Sequence, residues 1–427
     1  MNEVSPIWHP MTQHALLPDS IHVERAEGAY LHTKDGRKII DGISSWWVNT
    51  HGHCHPKIVK AVQAQAEKLE QVVFAGFTHE PAEELAKKLL RLSDPSLEFV
   101  FYSDSGSTAV EVALKMAIGY FEHESTPRRK IVALEGGYHG DTFGAMSAGS
   151  RSVFNKLYEP YLFDVEHLPF PFEGREFQTL EKFESILRGG DVAALIVEPL
   201  VQGASGMRIY TPETLKALHD LCRAHGALLI ADEVMTGFGR TGSMFACEQA
   251  GIAPDLMCLS KGLTGGFLPM GATLATKEIY TAFYDTDRSK TFFHSTSFTG
   301  NALACAAALA SLEIWATEPV MSNIRSIEQA HEKAAGWFYA RPDVAALRVQ
   351  GSIFAMDIKD ETQGYLSEIG PQIYDFMIEN DVLLRPVGNT VYILPPYCIT
   401  SEDLENIYET LWRALDHIRD EREQRAA

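Results

Sequence analysis

Paired cysteines are missing from this sequence. Its six cysteines stand singly at positions 54, 222, 247, 258, 305 and 398, and no two form a CxxC pair. That spacing argues against a disulfide scaffold or a paired-cysteine zinc site, and it fits reduced thiols in a reducing compartment. Long apolar runs are missing too, since no stretch approaches the roughly 20 residues that a membrane span needs. Met1 to Pro10 contains no basic region followed by an apolar run. No signal peptide is expected, and the cytoplasm is the expected location. Positive charge is scarce: 37 Lys and Arg face 57 Asp and Glu, for a net charge of −20. A nucleic acid or an anionic membrane would be repelled by that balance, so neither is an expected partner. A small anionic ligand would have to be held by local groups against the field. There is no low-complexity tract, long linker or internal repeat.

The 427 residues are 45% hydrophobic and 22% charged, which is enough apolar material for a large core without staples. Between about 98 and 275, short apolar runs alternate with helix-like stretches. Val100–Tyr102, Ile131–Leu134, Ala193–Val197, Leu228–Ile230 and Leu256–Leu259 read as strands. Several are apolar throughout and do not alternate, the pattern of strands buried on both faces of a parallel sheet. Ala109–Met116 and Leu215–Ala224 read as crossover helices. Beyond 316, helical segments mix with short strands such as Ala346–Gln350 and Val391–Leu394. The expected architecture is α/β: a large domain over 55–315 with a mostly parallel central sheet, and a smaller α+β domain from both termini, 1–54 and 316–427.

The chemistry gathers where apolar runs end. Leu228-Leu229-Ile230 runs into Ala231-Asp232-Glu233, and Leu256–Leu259 into Ser260-Lys261. A carboxylate at the end of a buried strand is costly without a positive partner, and open α/β sheets bind ligands at the carboxyl ends of strands. An acid and an amine offered to one crevice suit a cofactor whose pyridinium nitrogen needs a carboxylate and whose aldehyde needs a lysine. A plain salt bridge at a sheet edge is the other reading. Asp104-Ser105-Gly106-Ser107-Thr108 precedes a periodic helix and would expose amides to a phosphate. It would equally serve as an ordinary N-cap, and Thr108 with Glu111 has capping-box spacing. Gly136-Gly137-Tyr138-His139-Gly140 reads as a tight turn that presents Tyr138, either to a flat ring or to the core.

Two motifs are set aside. Gly237-Phe238-Gly239-Arg240-Thr241-Gly242 matches GxGxxG but follows a strand already closed by Asp232-Glu233 and opens no clear periodic helix, so a dinucleotide site is not expected. His51-Gly52-His53-Cys54-His55-Pro56 resembles a metal cluster, yet alternate residues of a turn rarely converge on one ion. It reads as a structural turn, and no metal is expected.

In order, the phosphate loop, Gly-Gly-Tyr-His-Gly, Glu198-Pro199, Asp232-Glu233-Val234, Lys261 and Gly300-Asn301 resemble the class III (subgroup II) aminotransferases, over roughly Trp8 to Ile418. Ile7-Trp8-His9-Pro10, Asp41-Gly42-Ile43-Ser44-Ser45-Trp46-Trp47 and Arg385-Pro386 sharpen the resemblance toward members that make 7,8-diaminononanoate in biotin synthesis. It implies the fold type I architecture, pyridoxal 5'-phosphate as cofactor and a homodimer with shared active sites. Lys261 is implied to carry the cofactor as a Schiff base and to shuttle the proton, with Asp232 at the ring nitrogen. Val234 and Tyr138 are implied to sandwich the ring, and Gly106 and Ser107 to hold the phosphate. Thr296 and Ser297 match positions that reach the neighbouring subunit's phosphate. Trp46, Trp47, Tyr138, Ser295, Arg385 and Met11 fall on substrate-binding positions. The implied reaction is a ping-pong transfer from S-adenosylmethionine to 8-amino-7-oxononanoate. The alternatives are another class III enzyme acting on ω-amino acids or amines, a mutase or racemase on the same scaffold, and a binding protein without activity.

Three departures bear on specificity. Met11 stands where these members typically have a substrate-contacting tyrosine, which leaves lysine or another amine open as donor. Ser295-Thr296-Ser297 replaces Gly-Pro-Thr. Ala204 follows Gln202-Gly203, where ornithine and γ-aminobutyrate enzymes carry a glutamate, so Arg385 has no obvious acid to mask it.

Overall fold

The computed structural model describes residues 6–16, 20–362 and 364–426. Its largest sheet has seven strands, in the order Leu97–Ser103, Gly271–Thr276, Leu256–Leu259, Leu228–Asp232, Val192–Val197, Lys130–Leu134, Glu166–Leu168. Gly271–Thr276 runs antiparallel to both neighbours, and the remaining pairings are parallel. The mostly parallel sheet and all five expected strands are therefore present. Gly271–Thr276 and Glu166–Leu168 are additions.

Continuous burial explains the apolar runs. All six residues of Val192–Val197 are buried. Leu195 and Val197 point into one core with Leu215, Leu218 and Cys222 of the helix Pro212–His225. Ala194 and Ile196 point into another, with Ala109, Val110, Ala113 and Ala117 of the helix Gly106–His123. Alternate side chains of a strand face opposite ways, so helices on both faces require apolar residues at every position. The helix Pro212–His225 is bounded by sequence signals. Thr211 accepts the Thr214 amide at 3.2 Å, Pro212 occupies the first turn, and Gly226 closes the helix at φ 65°.

The helix Gly106–His123 starts differently from expectation. Its cap is Ser105, whose hydroxyl accepts the Thr108 amide at 3.2 Å while Thr108 Oγ1 accepts the Ser105 amide at 2.9 Å. The capping box therefore spans Ser105 and Thr108, not Thr108 and Glu111. Once Gly106 enters the helix, Glu111 lies a turn too deep to cap it. Its carboxylate instead accepts from Thr142 Oγ1 at 2.6 Å and the Gly144 amide at 2.7 Å.

The two ends of the chain share a sheet. Val23–Glu27, Tyr30–Thr33 and Lys38–Asp41 form an antiparallel meander, and Val382–Leu383 adds to it in parallel, with Val382 opposite Ile40. A further antiparallel sheet joins Val344–Gln350, Ile353–Ile358 and Thr390–Ile393. Among the described residues, no single helix is long and apolar enough to cross a membrane. Ala302–Thr317 is apolar because it is buried against Pro56–Ala66 and Glu80–Leu92.

Candidate active site

Strand register brings the acid and the amine together. Asp232 ends its strand opposite Cys258 of the parallel neighbour, and that neighbour runs out at Leu259, two residues before Lys261. The Asp232 carboxylate is buried. One oxygen accepts from the Val234 amide at 3.1 Å, and the other lies 2.7 Å from Nδ1 of His139. Glu233 points to the opposite side of the strand, where it takes the Thr236 hydroxyl at 2.6 Å and the Cys247 amide at 2.9 Å. Lys261 Nζ lies 5.0 Å from the centre of the Trp47 ring. Burial pushes its pKa down, and the charges of Asp232 and Glu198 oppose that shift only in part. A lowered pKa makes the neutral, nucleophilic amine more available near neutral pH.

Above this floor is a cavity of about 390 Å3. Gly106 and Ser107 begin their helix at its wall, where the first helical amides lack intrahelical partners and favour an anion. Gly106 must be bare, because a Cβ there would lie 2.7 Å from Val234 Cγ1. Gly140, at φ 127°, would drive a Cβ to 2.1 Å from Ser107 Oγ. Tyr138 faces the cavity, and its amide donates to Glu198 Oε1 at 3.1 Å. Burial, reinforced by the nearby Asp141, raises the Tyr138 phenol, so it stays protonated. Glu198 also accepts the Gly203 amide at 3.0 Å, and burial pushes its pKa up to about 7.

The mouth is made by Met11, Trp46 and Arg385. Arg385 donates to the Met11 carbonyl at 3.0 Å, and its guanidinium carbon lies 5.3 Å from the centre of the Trp46 ring. Among the described residues it has no ion pair. The paired tryptophans play unequal parts. Trp46 is 46% exposed at the rim. Trp47 is buried, donates to the Tyr392 hydroxyl at 3.0 Å and packs against Gly203. Both still line the cavity, as do Met11, Gly106, Ser107, Tyr138, Asp232, Val234, Lys261 and Arg385.

Ser295, Thr296 and Ser297 do not line it. They sit on a partly exposed loop, where Thr296 Oγ1 is 3.2 Å from Thr299 Oγ1 and Ser295 Oγ donates to the Thr296 carbonyl at 3.1 Å. The two motifs set aside are part of the scaffold. The rings of His51, His53 and His55 take different partners: Ser311, Asp41 and Glu318. The GxGxxG stretch is a loop whose buried Arg240 donates to the Pro395 carbonyl at 2.9 Å and the Trp47 carbonyl at 3.3 Å. A Cβ on Gly239 would meet Ile324 and Trp315 at 2.6 Å. Sequence reasoning passed over His139, Glu198 and Tyr392. His139 and Glu198 belong to quoted motifs, but only the strand register shows that the His139 ring meets Asp232.

The Aminotransferase class-III family model matches residues 12–415. The chain belongs to the class III aminotransferases. The adenosylmethionine-8-amino-7-oxononanoate aminotransferase of Synechococcus elongatus is 50% identical to it over 420 residues, covering 96% of this chain and 99% of that one. The enzyme of the same name from Geobacter sulfurreducens is 39% identical, over 96% and 95%. Among solved structures, adenosylmethionine-8-amino-7-oxononanoate aminotransferase from Methanocaldococcus jannaschii superposes with a TM-score of 0.92 at 35% identity, over 96% and 97% of the two chains. A PLP-bound amine transaminase from an uncultivated Pseudomonas species gives 0.92 at 31%, over 98% and 100%. The protein is thus a fold type I, pyridoxal-phosphate-dependent aminotransferase acting on small molecules. Its own residues fit that cofactor. The cavity floor holds a buried lysine amine near a buried carboxylate, the His139 Nε2 beside them is buried without a partner, and a bare-glycine helix start suits the phosphate.

Proposed function

We infer that this aminotransferase converts 8-amino-7-oxononanoate to 7,8-diaminononanoate, a step of biotin synthesis, with S-adenosylmethionine as amino donor. The observation that carries the substrate class is the wall. Aromatic Trp46 and Trp47 lead to Arg385, which has no acid partner among the described residues, as a slim aliphatic chain ending in a carboxylate requires. The names of the 50% and 39% identical relatives support the same reaction.

Bound pyridoxal phosphate supplies an electron sink for the carbon that loses its proton. The chain's residues do the rest. Lys261 Nζ, its pKa lowered by burial, would hold the cofactor and, as a neutral amine, could accept and return a proton at Nζ. Asp232, oriented by His139 and the Val234 amide, would face the ring nitrogen. Tyr138 and Val234 would enclose the ring, and Gly106 and Ser107 would take the phosphate. Trp46, Trp47, Tyr138 and Met11 shape the substrate path, and Trp47 keeps water from the amine. Arg385 anchors the carboxylate. Thr296 and Ser297 serve a second copy's phosphate, and Ser295 that copy's substrate path, which makes the enzyme a homodimer. Exposed Phe293 and Phe298 on the same loop, with Val73 and Phe77 also exposed, support such an interface. The large domain is assigned to 55–315 and the small one to 1–54 with 316–427. The unpaired cysteines fit the cytoplasm.

The test is a donor screen on purified protein, with 8-amino-7-oxononanoate as acceptor and S-adenosylmethionine, lysine and β-alanine as donors. Diaminononanoate is expected with S-adenosylmethionine. Formation with β-alanine alone would favour an ω-amino acid or amine transaminase instead, a reading that Trp46, Trp47 and Ala204 oppose.

A further inference from the structure

A smaller chamber of about 230 Å3 opens off the cavity. Tyr138, Gly140, Asp141, Phe154 and Ala204 line both and form the neck between them. Beyond the neck the wall mixes apolar and polar groups: the Gly136-Gly137 turn, Met146, the loop from Gly149 to Asn155, Ser205 and Arg208. Arg151 is committed to the scaffold, since its guanidinium donates to the carbonyls of Ser147 at 3.0 Å, Gly149 at 3.2 Å and Phe163 at 3.1 Å. Arg208 differs. Among the described residues its guanidinium makes no ion pair or hydrogen bond, and the guanidinium carbon lies 5.8 and 5.6 Å from the ring centres of Phe170 and Phe172. Behind the wall, Gln202 Oε1 is buried and has no hydrogen-bond partner among the described residues. A Cβ on Gly136 would lie 2.8 Å from that oxygen, 2.9 Å from Ser205 Oγ and 3.1 Å from Arg208 Nη1. Donors and acceptors thus converge on a bare backbone.

We propose that this side chamber is the subsite for the nucleoside end of the amino donor. The inference rests on S-adenosylmethionine being that donor. The main cavity must hold cofactor and substrate together. The acceptor is a slim chain, whereas the donor carries a bulky nucleoside, and the side chamber supplies the additional room. Chemistry matches along the path. The donor's sulphonium lies between its reacting carbon and its nucleoside, and Asp141 stands at the neck. A purine offers ring nitrogens to the donors of Arg208, and its amino group can donate to the Ser205 hydroxyl on the same wall. Small Ala204 keeps the neck open.

The experiment pairs two variants outside the main cavity, Arg208→Met and Ser205→Phe, with the wild-type holoenzyme. Calorimetric titration with 5'-methylthioadenosine, the donor's nucleoside without its amino acid, should show binding that weakens about tenfold or more in both variants. The KM for S-adenosylmethionine should rise by a similar factor, while the KM for 8-amino-7-oxononanoate stays within about twofold, which also reports correct folding. Unchanged nucleoside binding and unchanged donor KM in both variants would overturn the subsite. So would a wild-type chamber that takes inorganic phosphate and no nucleoside. If the wild type binds the nucleoside through Arg208 yet accepts amino groups only from lysine, the subsite stands and the donor assignment fails.

Discussion

The floor of the cavity and its mouth are built by different means. At the floor, Asp232 and Lys261 leave adjacent parallel strands, and every residue of Leu228–Asp232 is buried. The hydrogen-bonded ladder sets their spacing. At the mouth, Met11, Trp46 and Arg385 come from segments far apart in sequence, and Met11 and Trp46 are 41% and 46% exposed. Backbone strain occurs at both levels: Met11, Ser44, Ser45 and Trp47 adopt φ of 49°, 53°, 58° and 64°, and Lys261 at the floor adopts 41°. Each such non-glycine residue costs about 1–3 kcal/mol and persists only where its surroundings over-determine it. The difference assigns the work. A rigid sheet positions chemistry that every substrate needs, and loops select which substrate arrives.

That division breaks first if the floor proves dispensable. Lys261→Ala should lower transamination by about 10⁴-fold or more with every donor alike, because it removes both attachment and proton transfer. Borohydride treatment followed by intact-mass measurement should show added cofactor mass on the wild type and none on the variant. A variant that still traps the cofactor would move the attachment to another amine. Asp232→Asn should cost less, about 10²–10³-fold in kcat, with KM values little changed, since it removes a charge and keeps the shape.

How far the sequence foretold each region follows from the same contrast. Val192–Val197 was legible because burial on both faces demands an unbroken apolar run. Asp232 and Lys261 were legible because each interrupts the end of such a run. Gly271–Thr276 was not. Its small residues carry little strand signal, and its reversed direction is a property of its neighbours. Glu166–Leu168 is too short to show a period. His139 sat in plain view inside a motif, but its partner is 93 residues away in sequence. At the mouth, the resemblance picked out Trp46 and Trp47 together, while their division into rim and core depends on a kinked turn that no periodicity describes. The capping box was displaced because Ser105 and Thr108 are both competent caps, and glycine packing against Val234 decided between them.

The mouth should respond selectively. Arg385→Met should raise KM for 8-amino-7-oxononanoate by about 10–100-fold, the loss of a charge-assisted pair, and leave turnover of an amine acceptor lacking a carboxylate within about threefold. Equal losses on both acceptors would mean that Arg385 acts through the floor, which would erase the contrast.

The smallest expected effect concerns the residue that joins the two regions. Glu198 holds the amides of Tyr138 and Gly203, one on the ring-facing wall and one against Trp47. Burial, the largest cause, raises its carboxyl from 4.5 to about 7. A raised carboxyl binds more protons in the folded than in the unfolded state between those values. Its contribution to stability is thus fully present below about 4.5, falls as the pH climbs, and is gone above about 7. The shift corresponds to about 3 kcal/mol. Glu198→Gln cannot titrate, so its stability relative to the wild-type apoprotein should improve by up to that amount between about pH 5 and pH 8, on top of a constant offset from exchanging an acceptor for a donor. Denaturant melts across that window measure the difference. Parallel curves would mean that Glu198 is already ionised in the folded protein, held by its two amides, and that the link between floor and mouth is a fixed charge and not a proton.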